Sequence, residues 1–149
     1  MTREIKITVG RVQVTGELFN TATAEAILEA LPIKGQAQRW GGEIYFSIPV
    51  SAELEPDARD VLEAGELGYW PTGNALCIFF GKTPASQGDE IRAASDVNVF
   101  GRVSKDLGVW MMLRMGPRWL SNLLNNGSCY LKGFIIRMIS TNRLFQRFL

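Results

Sequence analysis

Apolar and polar residues alternate along Glu4–Val9, with Ile5, Ile7 and Val9 on one face. A period of two is that of a strand with one buried face. The alternation returns over Val12–Leu18 through Val12 and Val14. With Gly10-Arg11 between them, the two runs predict a hairpin. The period then changes. Asn20 or Thr21 can cap a short helix over Ala22–Leu31, with Glu25 in its first turn. Ile27, Leu28 and Leu31 face inward, and Pro32 stops it.

Ile33–Arg39 reads as a strand, and Trp40-Gly41-Gly42 as a turn. Glu43–Ile48 alternates: Ile44, Phe46 and Ile48 on one face, Glu43, Tyr45 and Ser47 on the other. Pro49 ends that strand or places it at an edge. Ser51–Leu62 is polar, holds Pro56, and reads as a loop with one helical turn. Glu66–Trp70 and Ala75–Phe80 are rich in aromatic and bulky apolar residues and flank the turn Pro71-Thr72-Gly73-Asn74. Ala75–Phe80 is apolar without a break, so both its faces are expected to be buried. Lys82–Ala94 reads as a long polar loop, and Ser95–Val103 as a further strand. About eight strands and one or two helices result, spaced as in all-β barrels.

A chain of 149 residues is one domain's worth. It has no histidine, which excludes histidine-based triads, dyads and metal sites. Met1–Gly10 lacks the apolar run of a signal peptide, and no apolar stretch reaches the length of a membrane helix. Two cysteines make no disulfide framework, and Cys77 within an apolar strand is expected to be an inert buried thiol. The expected compartment is the cytoplasm.

The net charge of +1 conceals a split. Residues 1–108 hold all 15 acidic residues and 10 basic ones; residues 109–149 hold 6 basic residues and no acid. Four of the five methionines and two of the four tryptophans also lie after 108. A basic tail of this kind could meet a membrane surface or nucleic acid, or be of different origin.

The segments RWGGEIYFSIPV, VLEAGELGYWPTGNALCIFFGKTP and AASDVNVFGRV resemble the small prokaryotic cyclophilin-like family, whose function is unsettled. The resemblance runs from about Glu4 to Leu107 and implies a closed eight-stranded β-barrel with a helix over one open end. True cyclophilins are echoed more weakly in Ile78-Phe79-Phe80 and Val99-Phe100-Gly101-Arg102-Val103. Their catalytic arginine segment is not repeated in Trp40–Val50, and Val97 stands where their pocket histidine would lie. Arg39 could supply a guanidinium from another position. The resemblance therefore implies a non-catalytic module for a peptide or small molecule; the alternative is a peptidyl-prolyl isomerase with a non-standard site.

Family chains usually finish with an Asp-Gly turn and a last apolar strand, which Val109 onward does not match. Trp110-Met111-Met112 must be encoded TGG ATG ATG, and the frame one base upstream permits Leu-Asp-Asp-Val-x-Asp-Gly-Thr-x-Val-Val-Val. Residues from about Gly108 therefore read as out-of-frame translation, with a genuine divergent tail as the alternative. This divides the chain into a barrel domain over 1–108 and a tail over 109–149 that is not a domain. The tail is expected to pack poorly, and either Trp110–Met115 or Cys129–Ile139 could substitute for the last strand.

Eight residues are candidates for ligand binding: Arg39, Trp40, Glu43, Tyr45, Tyr69, Trp70, Asn74 and Phe80. Tyr69, Trp70, Phe79 and Phe80 could line an apolar groove, or fill the barrel. Arg39, Trp40, Glu43 and Tyr45 form a mixed cluster, or a solvated face. Gly73-Asn74 is an anion nest or, more simply, a turn. Lys82-Thr83 lacks the upstream glycine of a P-loop, that position being Leu76. Asp57, Asp60, Asp89 and Glu90 lack companion ligands. No cofactor, metal, nucleic-acid or membrane partner is expected; the oligomeric state stays open.

Overall fold

Alternating runs fold into strands because a period of two gives each strand one apolar face to bury. The computed structural model describes residues 3–9, 12–104 and 135–141. Their order is β1 (Arg3–Val9), β2 (Val12–Leu18), α1 (Ala22–Ala30), β3 (Ile33–Gln36), β4 (Gln38–Trp40) and β5 (Glu43–Ser47). There follow β6 (Arg59–Leu62), β7 (Glu66–Trp70), a 3-10 turn (Pro71–Gly73), β8 (Ala75–Phe79), β9 (Ile91–Val103) and β10 (Ile135–Ser140). The fold is mostly β, one antiparallel sheet with one helix. Its strands run β3-β10-β1-β2-β9-β7-β8-β5-β4, and β6 joins alongside β9. The two ends of that path, β3 and β4, are joined in the chain by the single buried residue Ala37.

The helix begins where its cap predicts: the Thr21 hydroxyl accepts from the Ala24 N–H at 3.0 Å. Ala24, Ile27 and Leu28 turn into a core with Ile5, Ile7, Phe46, Tyr69 and Phe100. Burying each large apolar side chain there contributes roughly 1.5–3 kcal/mol. The unbroken apolar run of β8 serves two cores by alternation. Leu76 and Ile78 face the main core, whereas Cys77 and Phe79 face a second cluster with Leu62, Ala93 and Val97.

Four expectations are corrected. The described residues form ten strands, not about eight. The run 33–39 is two strands broken at Ala37, because the chain there leaves β10 and turns to pair with β5. The polar stretch before Leu62 contains β6, a strand that among the described residues pairs only with β9 and so needs little apolar alternation. β9 starts at Ile91 rather than Ser95, since its first residues pair with β6.

The expectation of poor packing does not hold for residues 135–140 of the tail, which overlap the Cys129–Ile139 candidate for a last strand. They form β10, inserted antiparallel between β1 and β3, with Ile7 opposite Met138 and Gly35 opposite Ile136. Ile136 and Met138 are fully buried, so this piece presents a consistent core face. Among the described residues, its partners β1 and β3 each have one edge that only it covers, and pairing satisfies those edges. Trp110–Met115 and the rest of the tail lie outside the described residues.

Candidate functional site

The site begins at the β4–β5 hairpin. Its turn, Gly41-Gly42, lies against the chain after β8: a Cβ at Gly42 would stand 2.2 Å from the Gly81 carbonyl carbon. Only glycine permits that approach. The tight turn sets Trp40 opposite Glu43 and Gln38 opposite Tyr45. Cross-strand partners share a face, so Trp40, Glu43 and Tyr45 all project from the side of the sheet away from the main core.

On β7 the same side carries Gly68 and Trp70. A Cβ at Gly68 would lie 2.8 Å from Val97 Cγ2 and 3.1 Å from Phe79 Cε2, so the bare backbone leaves Val97 its place. Ala93, Ala94 and Val97 of β9 complete a pocket of about 150 Å³ with Trp40, Glu43, Tyr45 and Trp70. The polar edges of two rings are already engaged. Trp70 Nε1 donates to Ser95 Oγ at 2.7 Å, and Tyr45 Oη donates to Gln38 Oε1 at 2.9 Å. Such bonds hold the rings without using their faces.

Glu43 is the charged group of this lining, and it is only 6 % exposed. Burial pushes its carboxyl above the ordinary carboxylate range, against a hydrogen bond from Cys77 that pulls the other way. The Cys77 thiol is pushed well up by burial, by the charge of Glu43 and by donating to it. A thiol so held stays protonated and is a poor nucleophile.

Four of the eight candidates therefore meet in one place: Trp40, Glu43, Tyr45 and Trp70. The other four do not join them. Tyr69 points inward, fully buried, donating to the Val50 carbonyl at 2.8 Å. Asn74 takes the left-handed turn conformation (φ 45°) and sets its Oδ1 3.0 Å from Tyr69 Oη. Phe80 lies in the main core. The Arg39 guanidinium lies 5.4 Å from the centre of the Phe80 ring, and its Nε donates to the Gly41 carbonyl at 2.9 Å. Phe79 packs in the second cluster beneath the pocket.

Ala93 and Ala94 are invisible in the sequence because small apolar residues carry no chemical signal, whereas Val97, which stands where the resemblance would put a pocket histidine, does line this pocket. Only the sheet order reveals that β9 lies beside β7 and pairs with β6. Among the described residues no group of three or more acidic or cysteine side chains could hold a metal ion. Among them, too, no helix is long and apolar enough to cross a membrane.

A family model described as cyclophilin-like matches residues 3–118. Among solved structures the chain is similar to a hypothetical protein from Archaeoglobus fulgidus determined in solution. The two are 34% identical, with a TM-score of 0.68 over 93% of this chain and 94% of the other. No curated protein matches.

Proposed function

We propose that this chain, which belongs to the cyclophilin-like family, is a non-catalytic module that binds a peptide segment or small ligand. The observation that carries this reading is the pocket itself: three aromatic side chains stand over an apolar floor beside a buried carboxyl. Concave, mostly apolar sites with few polar groups are the usual form of a ligand site. In this reading the sheet acts as a closed barrel. Its support is that Ala37 joins the path's two end strands and that Gly35 of β3 reaches Phe46 of β5. A closed barrel gives the pocket a rigid wall.

Prolyl isomerisation is the weaker reading. Rotation about the amide has a barrier of roughly 18–20 kcal/mol. Lowering it calls for a donor aimed at the prolyl nitrogen within an apolar pocket. Arg39 precedes Trp40 on a short strand, so the two side chains leave opposite faces. The guanidinium thus lies with Phe80, across the sheet from the pocket.

The test is an NMR titration with a panel of proline-containing peptides and small apolar and cationic molecules. Shifts at the Trp40 and Trp70 indoles without faster cis–trans exchange are expected. Robust acceleration that disappears in Arg39→Ala would favour the isomerase instead.

A further inference from the structure

The pocket's chemistry is narrower than that of an apolar groove. Its lining includes three aromatic residues, Trp40, Tyr45 and Trp70, and its charged lining residue is Glu43. Aromatic faces carry negative potential and attract cations, Trp most strongly. The Trp70 N–H and Tyr45 O–H donate to protein neighbours, so neither polar edge is free to receive an anion. Among the described residues no cation pairs with Glu43; its partner is the neutral Cys77 thiol. A carboxylate taken out of water without a cation is costly, and a cation from outside relieves that cost.

Size narrows the class further. A pocket of about 150 Å³ has room for a single group of benzene's bulk. A trimethylammonium group is of similar bulk, spreads its charge over methyl groups, and needs no hydrogen-bond acceptor. A primary ammonium would demand three acceptors.

We infer that the pocket takes a small-molecule alkylammonium cation, its methylated nitrogen held among Trp40, Tyr45 and Trp70 and facing Glu43. This rests on the binding reading above and deepens it. Nothing covalent is formed; ring faces and one carboxylate supply the recognition.

The experiment compares choline with 3,3-dimethylbutan-1-ol, its neutral isostere of the same shape. Both are titrated into the full chain while the Trp40 and Trp70 indole and Tyr45 ring signals are followed by NMR. Choline is expected to bind at least about tenfold more tightly, the difference expected of one or two desolvated cation–π contacts. Glu43→Gln, which keeps the shape, should bring the two ligands within about twofold of each other. Trp70→Leu should weaken choline by about tenfold or more.

Equal affinity for the two ligands in the native chain overturns the cation inference while leaving a binding pocket. Shifts from proline-containing peptides but from neither probe overturn it in the same way. Silence of all three rings toward every probe overturns both this inference and the binding reading. Circular dichroism of Glu43→Gln, expected to be unchanged, separates lost recognition from lost fold.

Discussion

Asn98 ties β9 to the start of the helix: its Nδ2 donates to Thr23 Oγ1 at 3.0 Å, with both residues buried. The same amide nitrogen donates to the Glu53 carbonyl at 2.8 Å, and Oδ1 accepts the Glu55 N–H at 2.8 Å. One side chain thus holds the helix and the loop after β5 against the sheet. Replacing it by Ala leaves three groups without this partner, of which Thr23 is buried; a buried unsatisfied group costs about 1–3 kcal/mol. Asn98→Ala is expected to lose about 2–4 kcal/mol in urea unfolding, with loosened amide protection over 21–24 and 53–55. Unchanged protection there would show that the helix start is held some other way.

Glu66 makes a second test, through pH. Burial is the largest single influence and would raise its carboxyl, but the bond from Arg59, the Glu63 N–H and the charges of Arg59 and Arg102 together outweigh it, and its value is lowered. Arg59 grips both oxygens, at 2.9 and 2.6 Å. A carboxyl lowered in the folded state binds fewer protons there than when unfolded. Its stabilisation is full above the ordinary carboxylate value and is lost as pH falls through the folded value. Glu66→Gln should therefore melt lower than the native chain at pH 7, with the gap closing toward pH 2. A gap independent of pH would mean that the charge of Glu66 is irrelevant.

Glu43 has the opposite sign. Its raised carboxyl binds protons more readily folded than unfolded. Stability falls as pH rises from the ordinary carboxylate value through the raised one. Glu43→Gln is expected to match the native chain in acid and to melt higher at pH 8. Melting curves at both pH values check it, and a lower melting point for the variant at pH 8 counts against a buried charge at this position.

Gly42→Ala probes the hairpin that sets Trp40 opposite Glu43. The added methyl would overlap the backbone of Gly81, which cannot swing aside as a side chain can. The Gly42 N–H also donates to the Lys82 carbonyl at 2.7 Å, and its own carbonyl accepts the Phe80 N–H at 2.8 Å. A loss of about 2 kcal/mol or more is expected in denaturant unfolding, together with shifted Trp40 signals. A neutral substitution would mean that the turn does not approach so closely.

Ile136→Ala tests the last strand. The side chain is fully buried in the main core, so its truncation should destabilise by about 2–5 kcal/mol. A chain ending at Gly108 should be less stable still, because the edges of β1 and β3 would both be open. A silent Ile136→Ala would remove β10 from the sheet. Sequencing the locus addresses the origin of the tail: clean reads of an intact frame, with no family-like ending in the shifted frame, would retire the out-of-frame interpretation.

What the sequence determined by itself was local. Alternation through Ile5 and Ile7, the Thr21 cap before Ala24 and the Pro-Thr-Gly-Asn turn before Ala75 each act over a few residues. Their elements stand where the pattern puts them. The shared outward face of Glu43 and Tyr45 was legible for the same reason, since a strand's period of two is a property of its own backbone. Tertiary structure decided everything that depends on which strand lies beside which. It broke 33–39 at Ala37, because one end had to pair with β10 and the other with β5. It made a strand of Arg59–Leu62, whose polar sequence needs only the edge of β9 to bond with. It drew Ile135–Ser140 into the sheet because the unpaired edges of β1 and β3 needed a partner. And it brought Trp70 and Val97 into one pocket with Trp40 and Tyr45, residues far apart in the chain whose meeting no local pattern encodes.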